Sequence, residues 1–516
     1  MLSKNNPQID ILSQMIFDKL VPDDHLLVKI NSIIDFSFVY DKVKDKYSSI
    51  SGRSSKDPAM MVKIILLEYL YNLSDVAVAK RASTDVVFRW FLKLGIDDKA
   101  PDDTTISHFR TKRIGKEDFE NFFNEIVKMC IEKNIVKTKR YIIDSTDVSV
   151  NAALPFGKKL IRDAYSKVIK EIDKFDENLA KQEKDSFEAD IDKEYETAEK
   201  VASTKHFEIA LKRLADIYVK TYDELQSNEK YLEAYELCYD IADQHLNKKK
   251  DKIVSVVDKD ARAAHKSKGK VKVGYKDHII VDEDSEIILA SSQTPFNVGD
   301  EKKLVELINK VEENFEIKPA EITADKVYGT TDNRAYLKDN KIVSNIAFYK
   351  SPVEKNEVYG IRDFVISEDL ESITCPYGVI TRDFTKTKSS EKTPSFFLFK
   401  FDKKYCSACP LRDSCLRKDK NGKHNISFRR VHIPLRYDAV LHDLKRVETK
   451  DFDLAYRMRF KIERRFGTMV NHRGLRRSRY TGLASSSVHI IMANFASNIV
   501  RMVNILCRPV PVAAKA

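Results

Sequence analysis

Glycine and proline are scarce in this chain, at 14 each among 516 residues, and they are unevenly spread. No proline falls between Pro155 and Pro295, and no glycine between Gly157 and Gly269. A span without either residue leaves little room for tight turns. Residues 158 to 250 are instead rich in Lys, Glu, Asp, Ala, Leu and Tyr, the composition of long amphipathic helices. Phe207, Ile209, Leu211, Leu214, Ile217 and Tyr218 keep a roughly helical spacing, so a helical hairpin or bundle is expected there. Cysteine is also scarce. Seven thiols in a chain this long do not make a secreted disulfide framework. Met1-Leu2-Ser3-Lys4-Asn5-Asn6 lacks a following apolar run, so no signal peptide is expected. The most apolar late stretch, Val488 to Leu506, carries His489, Asn494, Asn498 and Arg501, which argues against a membrane span. The expectation is a cytoplasmic protein with no membrane partner.

Charge, by contrast, is abundant and mixed: 90 Lys and Arg against 79 Asp and Glu, a net +11. That surplus suits a polyanionic partner, although excess lysine often serves only solubility. At this length about two to four domains are expected. Residues 1 to 135 read as all-helical. Pro58 opens an apolar run to Leu70, and Ser74-Asp75, Ser83-Thr84-Asp85 and Asp102-Asp103-Thr104-Thr105 are N-cap candidates for short helices. Gly95 fits a helix stop, and the last helix carries His108, Arg110, Lys112 and Arg113. Short helices ending in a basic one suit a helix-turn-helix-like DNA reader or, equally, a packing domain with a solvated face.

From Tyr141 the period changes to that of a strand, which sets Ile142, Asp144, Thr146 and Val148 on one face and Asp147 on the other. Strands resume at Val271–Asp282 and Ser285–Ser292. A helix from Asp300 then leads to a strand closed by Asp325, and Lys341 to Tyr349 reads as another. Two acids therefore end apolar runs, Tyr141-Ile142-Ile143 before Asp144 and Glu321-Ile322-Thr323-Ala324 before Asp325. A third, Glu463, closes the pattern Y-x2-R-x3-E with Tyr456 and Arg459. On one continuous helix these three would share a face. A carboxylate beside a guanidinium and a phenol packs poorly but suits metal and phosphate.

The acid trio and the Y-x2-R-x3-E signature resemble the DDE transposases of bacterial insertion sequences. The stretch from Asp57-Pro58 to Phe109-Arg110 resembles the domain that precedes many of their catalytic domains. The resemblance implies an α/β RNase H-like catalytic core, a mixed sheet flanked by helices, with an all-α N-terminal domain and a long helical insertion. The corresponding boundaries are 1–135 for the helical DNA-binding domain, 136–155 with 251–350 for the core, and 156–250 for the insertion. A second insertion would span 351–450, and the catalytic-Glu helix with the C-terminal helices 451–516.

Phosphodiester cleavage needs an activated water and a stabilised leaving oxyanion, which two divalent ions about 4 Å apart provide. Mg2+ or Mn2+ prefers carboxylate oxygens, so Asp144, Asp325 and Glu463 are expected to be both catalytic residues and metal ligands. The resemblance implies strand cleavage and strand transfer at terminal inverted repeats. It also implies binding to transposon-end and target DNA, nucleoid association and a homo-oligomeric active complex. Tyr456 and Arg459 would meet the phosphate. Lys276, in Gly274-Tyr275-Lys276-Asp277-His278, and the run Arg473, Arg476, Arg477 and Arg479 are further candidates for DNA contact. Many related enzymes continue as E-x6-K, whereas Val470 stands at that position here, with His472 and Arg473 as the nearest bases. An RNase H-like nuclease without integration activity, or a domesticated inactive DNA-binding protein, would share much of this pattern.

Cys375, Cys406, Cys409 and Cys415 form C-x30-C-x2-C-x5-C. Four thiolates complete a zinc or iron–sulfur site, and free buried thiols or disulfides are the alternatives. Cys130, Cys238 and Cys507 read as core residues.

Overall fold

The computed structural model describes residues 9–47, 55–150, 157–197, 204–267, 270–349, 358–387, 395–419, 422–424 and 426–508. The expected domain edges near 155 and 350 lie outside the described residues. The first 132 residues hold α1 (Ile11–Leu20), α2 (Leu26–Ile33), α3 (Phe38–Val43), α4 (Pro58–Leu70), α5 (Asp75–Thr84), α6 (Val86–Leu92), α7 (Asp103–His108) and α8 (Lys116–Glu132). Their starts follow the side chains. Asp57 accepts the Ala59 N–H at 2.8 Å beside Pro58, and Ser74, Asp85 and Asp102 cap α5, α6 and α7. The stop of α6 differs from expectation. Lys93 takes the left-handed conformation (φ 56°), and the Leu94 N–H closes on the Arg89 carbonyl at 3.0 Å, so Gly95 falls two residues beyond the cap.

Six strands form the central sheet: β1 (Arg140–Ser149), β2 (Arg262–Ser267), β3 (Lys270–Asp282), β4 (Ile288–Pro295), β5 (Glu321–Ala324) and β6 (Val343–Ile346). Neighbours run β4-β3-β1-β5-β6, and β2 pairs with the first half of β3. β3 is antiparallel to β1 and β4, whereas β1, β5 and β6 are parallel. Parallel neighbours need crossovers, supplied here by α13 (Leu304–Phe315) and α14 (Thr331–Asp339), numbered after the insertion helices. The fold is thus a mixed α/β core with a helical N-terminal region.

The glycine-free stretch folds as α9 (Lys158–Asp173), α10 (Glu177–Thr197), α11 (Lys205–Leu225) and α12 (Glu229–Leu246). They close a hydrophobic core of their own, in which Tyr165 and Phe187 stack at 3.8 Å. After β6 comes a small lobe of short strands, β7 (Val365–Ile366), β8 (Ile373–Thr374), β9 (Ile380–Thr381), β10 (Phe384–Lys386), β11 (Phe396–Lys400) and β12 (Arg430–Pro434). The lobe also carries α15 (Lys403–Ser407), α16 (Arg412–Cys415) and α17 (Tyr437–Val447). It docks on the core through a buried ion pair between Arg334 of α14 and Asp443 of α17. Arg334 also donates to the Ile346 carbonyl at 3.1 Å.

The chain ends with α18 (Lys450–Arg457), α19 (Phe460–His472) and α20 (Leu483–Leu506). Among the described residues α20 is the one helix long and apolar enough to cross a membrane, and 78% of its apolar window is buried inside the structure. Its polar side chains explain that burial. Asn498 exchanges two hydrogen bonds with the Ile288 backbone at 2.8 and 2.9 Å, Asn494 donates to Asp277 at 3.0 Å, and His489 meets Tyr69 at 3.1 Å. Asn498 thereby satisfies an edge of the sheet that would otherwise be open.

α20 packs on α4, α8 and β4, so the N-terminal helices and the sheet share one continuous core. The helical region does not close a core of its own. Removing residues 1–135 should therefore expose α20 and abolish cooperative thermal unfolding. Replacing residues 158–250 with a short Gly/Ser linker should leave one cooperative transition. Circular dichroism melts of the two proteins check this, and a stable, cooperative N-terminal truncation would contradict it.

Candidate active site

The central strand decides where the acids lie. β1 runs parallel to β5 with Ile143 opposite Ala324, so Asp144 and Asp325, each next in sequence, emerge side by side. Both first use one oxygen locally: Asp144 Oδ1 accepts the Ser145 N–H and Asp325 Oδ1 the Lys326 N–H, each at 2.8 Å. Asp325 thereby caps the short helical turn Lys326–Tyr328.

Arg459 fills the space between the two carboxylates, donating to Asp144 Oδ2 at 3.2 Å and to Asp325 Oδ1 at 3.3 Å. The Tyr456 hydroxyl accepts from the same guanidinium at 3.3 Å, and the Tyr456 ring stacks on Phe452 at 5.4 Å. Burial raises the Asp144 carboxyl above its ordinary range. The Ser145 N–H and the Arg459 charge oppose that rise, while the charge on Asp325 adds to it.

The expected continuous helix is not what carries Tyr456, Arg459 and Glu463. α18 ends at Arg457, Met458 and Arg459 form a tighter turn, and α19 begins at Phe460. The Arg459 N–H reaches the Tyr456 carbonyl three residues back, at 3.3 Å. The tightened turn takes Arg459 out of helical phase and aims it at the strands. Glu463 sits exposed on the first turn of α19, which packs on β1. Among the described residues no three His, Cys, Asp or Glu side chains stand ready to hold a metal ion.

Tyr328 was not picked out by sequence reasoning. Its hydroxyl is buried, and burial first, then the Asp144 charge, holds its proton on well above the usual range. The signal available was its place three residues after Asp325, where a single turn returns it beneath the acid pair.

The other candidates are distributed differently than their charge implies. Lys276 is mostly buried, binding Asp300 at 2.7 Å and the Val298 carbonyl at 2.8 Å. Its neighbour His278 is fully buried, and desolvation pushes it down to about 4, so it is neutral at pH 7. Asp147 pairs with Lys272 at 2.9 Å, away from Asp144.

Arg473 is buried and donates to the Leu70 carbonyl at 2.7 Å. Arg479 binds the Leu73 carbonyl at 2.6 Å and Asn72 at 3.1 Å. Both guanidinium groups meet the carbonyl end of α4, where the helix dipole favours cations. That is why they turn inward instead of facing a nucleic acid. Arg476 and Arg477 remain exposed, with Arg477 Nε on the Val150 carbonyl at 3.3 Å. The four cysteines Cys375, Cys406, Cys409 and Cys415 lie together in the small lobe and line one cavity there.

A shared mixed sheet, two acids on neighbouring parallel strands and an arginine-tyrosine pair define a compact polar site fed by distant parts of the chain. A transposase-domain family (DUF772) matches residues 15–112, and a transposase DDE-domain family matches residues 374–503. The second match contains Tyr456, Arg459, Glu463 and the four cysteines, and stops short of Asp144 and Asp325. No curated protein matches the chain. The two matches support a DDE transposase of insertion-sequence type.

The arginine clamp yields a stability test. Arg473→Ala should lower the unfolding free energy by about 2 kcal/mol, the range for hydrogen bonds to a charged donor. Arg476→Ala, on the surface, should change it by no more than about 0.5 kcal/mol. Urea unfolding of both variants is the measurement, and equal effects would place Arg473 outside the clamp.

Proposed function

We propose that this transposase cuts and rejoins DNA strands at terminal inverted repeats with divalent ions held by Asp144, Asp325 and Glu463. The observation that carries the reading is the side-by-side emergence of Asp144 and Asp325 from parallel strands, with Arg459 between them. The strand order β4-β3-β1-β5-β6, antiparallel then parallel, supports an RNase H-like core. The donor set fits a hard cation such as Mg2+ or Mn2+, since carboxylate oxygens are what such ions take. When bound, the ions would activate the attacking hydroxyl and stabilise the leaving oxyanion.

The protein's own groups do the rest. Arg459 neutralises the paired aspartates and turns toward a scissile phosphate, which its planar fork grips through two N–H groups. Tyr456, stacked on Phe452, limits the positions that Arg459 can take. Glu463, exposed on the first turn of α19, is the third acid of the set. Tyr328 is fully buried, with its hydroxyl close enough to the acids to feel the Asp144 charge. The same platform serves a water in the first step and a 3′-hydroxyl in the second. Exposed Arg476 and Arg477 are the members of the basic run placed to meet the DNA backbone. Partners on this reading are the transposon ends, target DNA and further copies of the chain, in the cytoplasm where the DNA lies.

Asp144→Asn, Asp325→Asn and Glu463→Gln should each reduce Mg2+-dependent cleavage of an inverted-repeat substrate by at least about 100-fold. DNA affinity should stay nearly constant in all three. Near-normal cutting by any one of them removes that residue from the site. Cleavage without joining in a strand-transfer assay would favour a nuclease instead.

A further inference from the structure

We infer that Cys375, Cys406, Cys409 and Cys415 form a structural site for one thiophilic divalent ion of the zinc class, which staples the small lobe. The residues come from three separate turns. Cys375 opens the turn Cys375-Pro376-Tyr377-Gly378, closed by the Gly378 N–H on the Cys375 carbonyl at 2.8 Å, with Gly378 at φ +89°. Cys406 sits in α15 and Cys409 just after it. Cys415 ends α16. All four side chains line a single cavity, together with Phe401, Leu416 and two arginines. None of the four is in a disulfide. As they stand, the thiols line the wall without being drawn to a common centre.

Three observations favour an ion. The first is the donor set. Four thiols from three turns line one cavity, which is the complete ligand set of a closed tetrahedral zinc site with metal–sulfur bonds of about 2.3 Å.

The second is charge. A four-thiolate site around a divalent ion carries a net double negative charge, and Arg412 and Arg429 both line the cavity. Arg412 is held there by the Cys406 carbonyl at 2.8 Å, and Arg429 by the Cys415 carbonyl at 3.0 Å and the Tyr359 carbonyl at 2.6 Å. The Arg429 Nε is buried with no acceptor. A metal-bound thiolate supplies one.

The third is the size of the lobe. Its strands are two to five residues long, and its buried cluster is small: Phe364, Ile373, Phe399, Ile433 and Tyr437 are at its centre. Modules with so little core commonly depend on a disulfide or a metal for stability. A closed four-sulfur shell has no open position for phosphate, so the role is structural. The lobe carries Asp443, which pairs with Arg334 of the sheet domain, and leads directly into α18 and Tyr456. The ion would hold the segment that delivers Arg459.

Metal analysis of the purified full-length protein, with added cobalt(II) as a spectroscopic probe after chelation, tests this. The expected result is one equivalent of zinc as isolated. After exchange, intense sulfur-to-cobalt charge-transfer bands should appear and should be lost in Cys406→Ser. Cys238→Ser, in the helical insertion, serves as the control and should keep them. Less than a tenth of an equivalent of metal, together with no cobalt bands, would overturn the proposal. Stoichiometric iron with acid-labile sulfide would overturn it equally, because the site would then be a cluster. Should Cys406→Ser fail to fold, the wild-type metal content and cobalt spectrum still decide.

Discussion

The parallel register of β1 against β5 is the constraint on which the rest of this structure turns. It sets two aspartates at neighbouring strand positions, where strands lie about 4.8 Å apart. Two like charges at about 5 Å, at an effective dielectric constant near 20, repel by about 3 kcal/mol. Burial of Asp144 adds to that cost. A cation must therefore stand between them, and the chain supplies Arg459. The requirement reaches backward into the fold. The α18–α19 junction tightens at Met458 and Arg459 so that the guanidinium can reach the strands. A straight helix would have kept Arg459 and Glu463 on one face and left the aspartates unneutralised.

Around that site the molecule is tied together by polar groups inside an apolar frame. α20 lies under the sheet and the N-terminal helices at once, anchored by Asn494, Asn498 and His489. Arg473 and Arg479, just beyond α19, close on the carbonyl end of α4. The segment that bears Glu463 is thus braced directly by the helices matched to the transposase domain. A change in how those helices sit has a short path to α19, through two guanidinium groups and four carbonyl or amide partners of the α4 terminus and its following loop. The helical insertion, with its separate core, stands outside that path.

Much of this was legible in the sequence, and the failures have physical causes. The strands bearing Asp144 and Asp325 announce themselves as apolar runs ending in an acid, and the helical insertion as a stretch without glycine or proline. The caps at Asp57, Ser74, Asp85 and Asp102 follow from local chemistry alone. The break before α19 was hidden, because Met458 and Arg459 are good helix formers and only the distant aspartates call for the turn. Arg473 and Arg479 were hidden for a related reason. A charge run normally faces solvent, and nothing local reveals that the end of a helix some 400 positions earlier needs cations. Lys276 met the same fate through Asp300. The position of Gly95 misled because a left-handed lysine can end a helix at a cost the Schellman hydrogen bond offsets.

The central claim is that Arg459 holds the place between Asp144 and Asp325 that a divalent ion takes for catalysis. Titration of Mn2+ into the DNA-free protein, wild type against Arg459→Ala, tests it most directly. Removing a competing cation from between two carboxylates should tighten Mn2+ binding by about tenfold or more, equivalent to about 1.4 kcal/mol. Cleavage of substrate DNA by the same variant should fall at every Mn2+ concentration, since the phosphate grip is gone. Mn2+ affinity that is unchanged or weaker in Arg459→Ala would contradict the account.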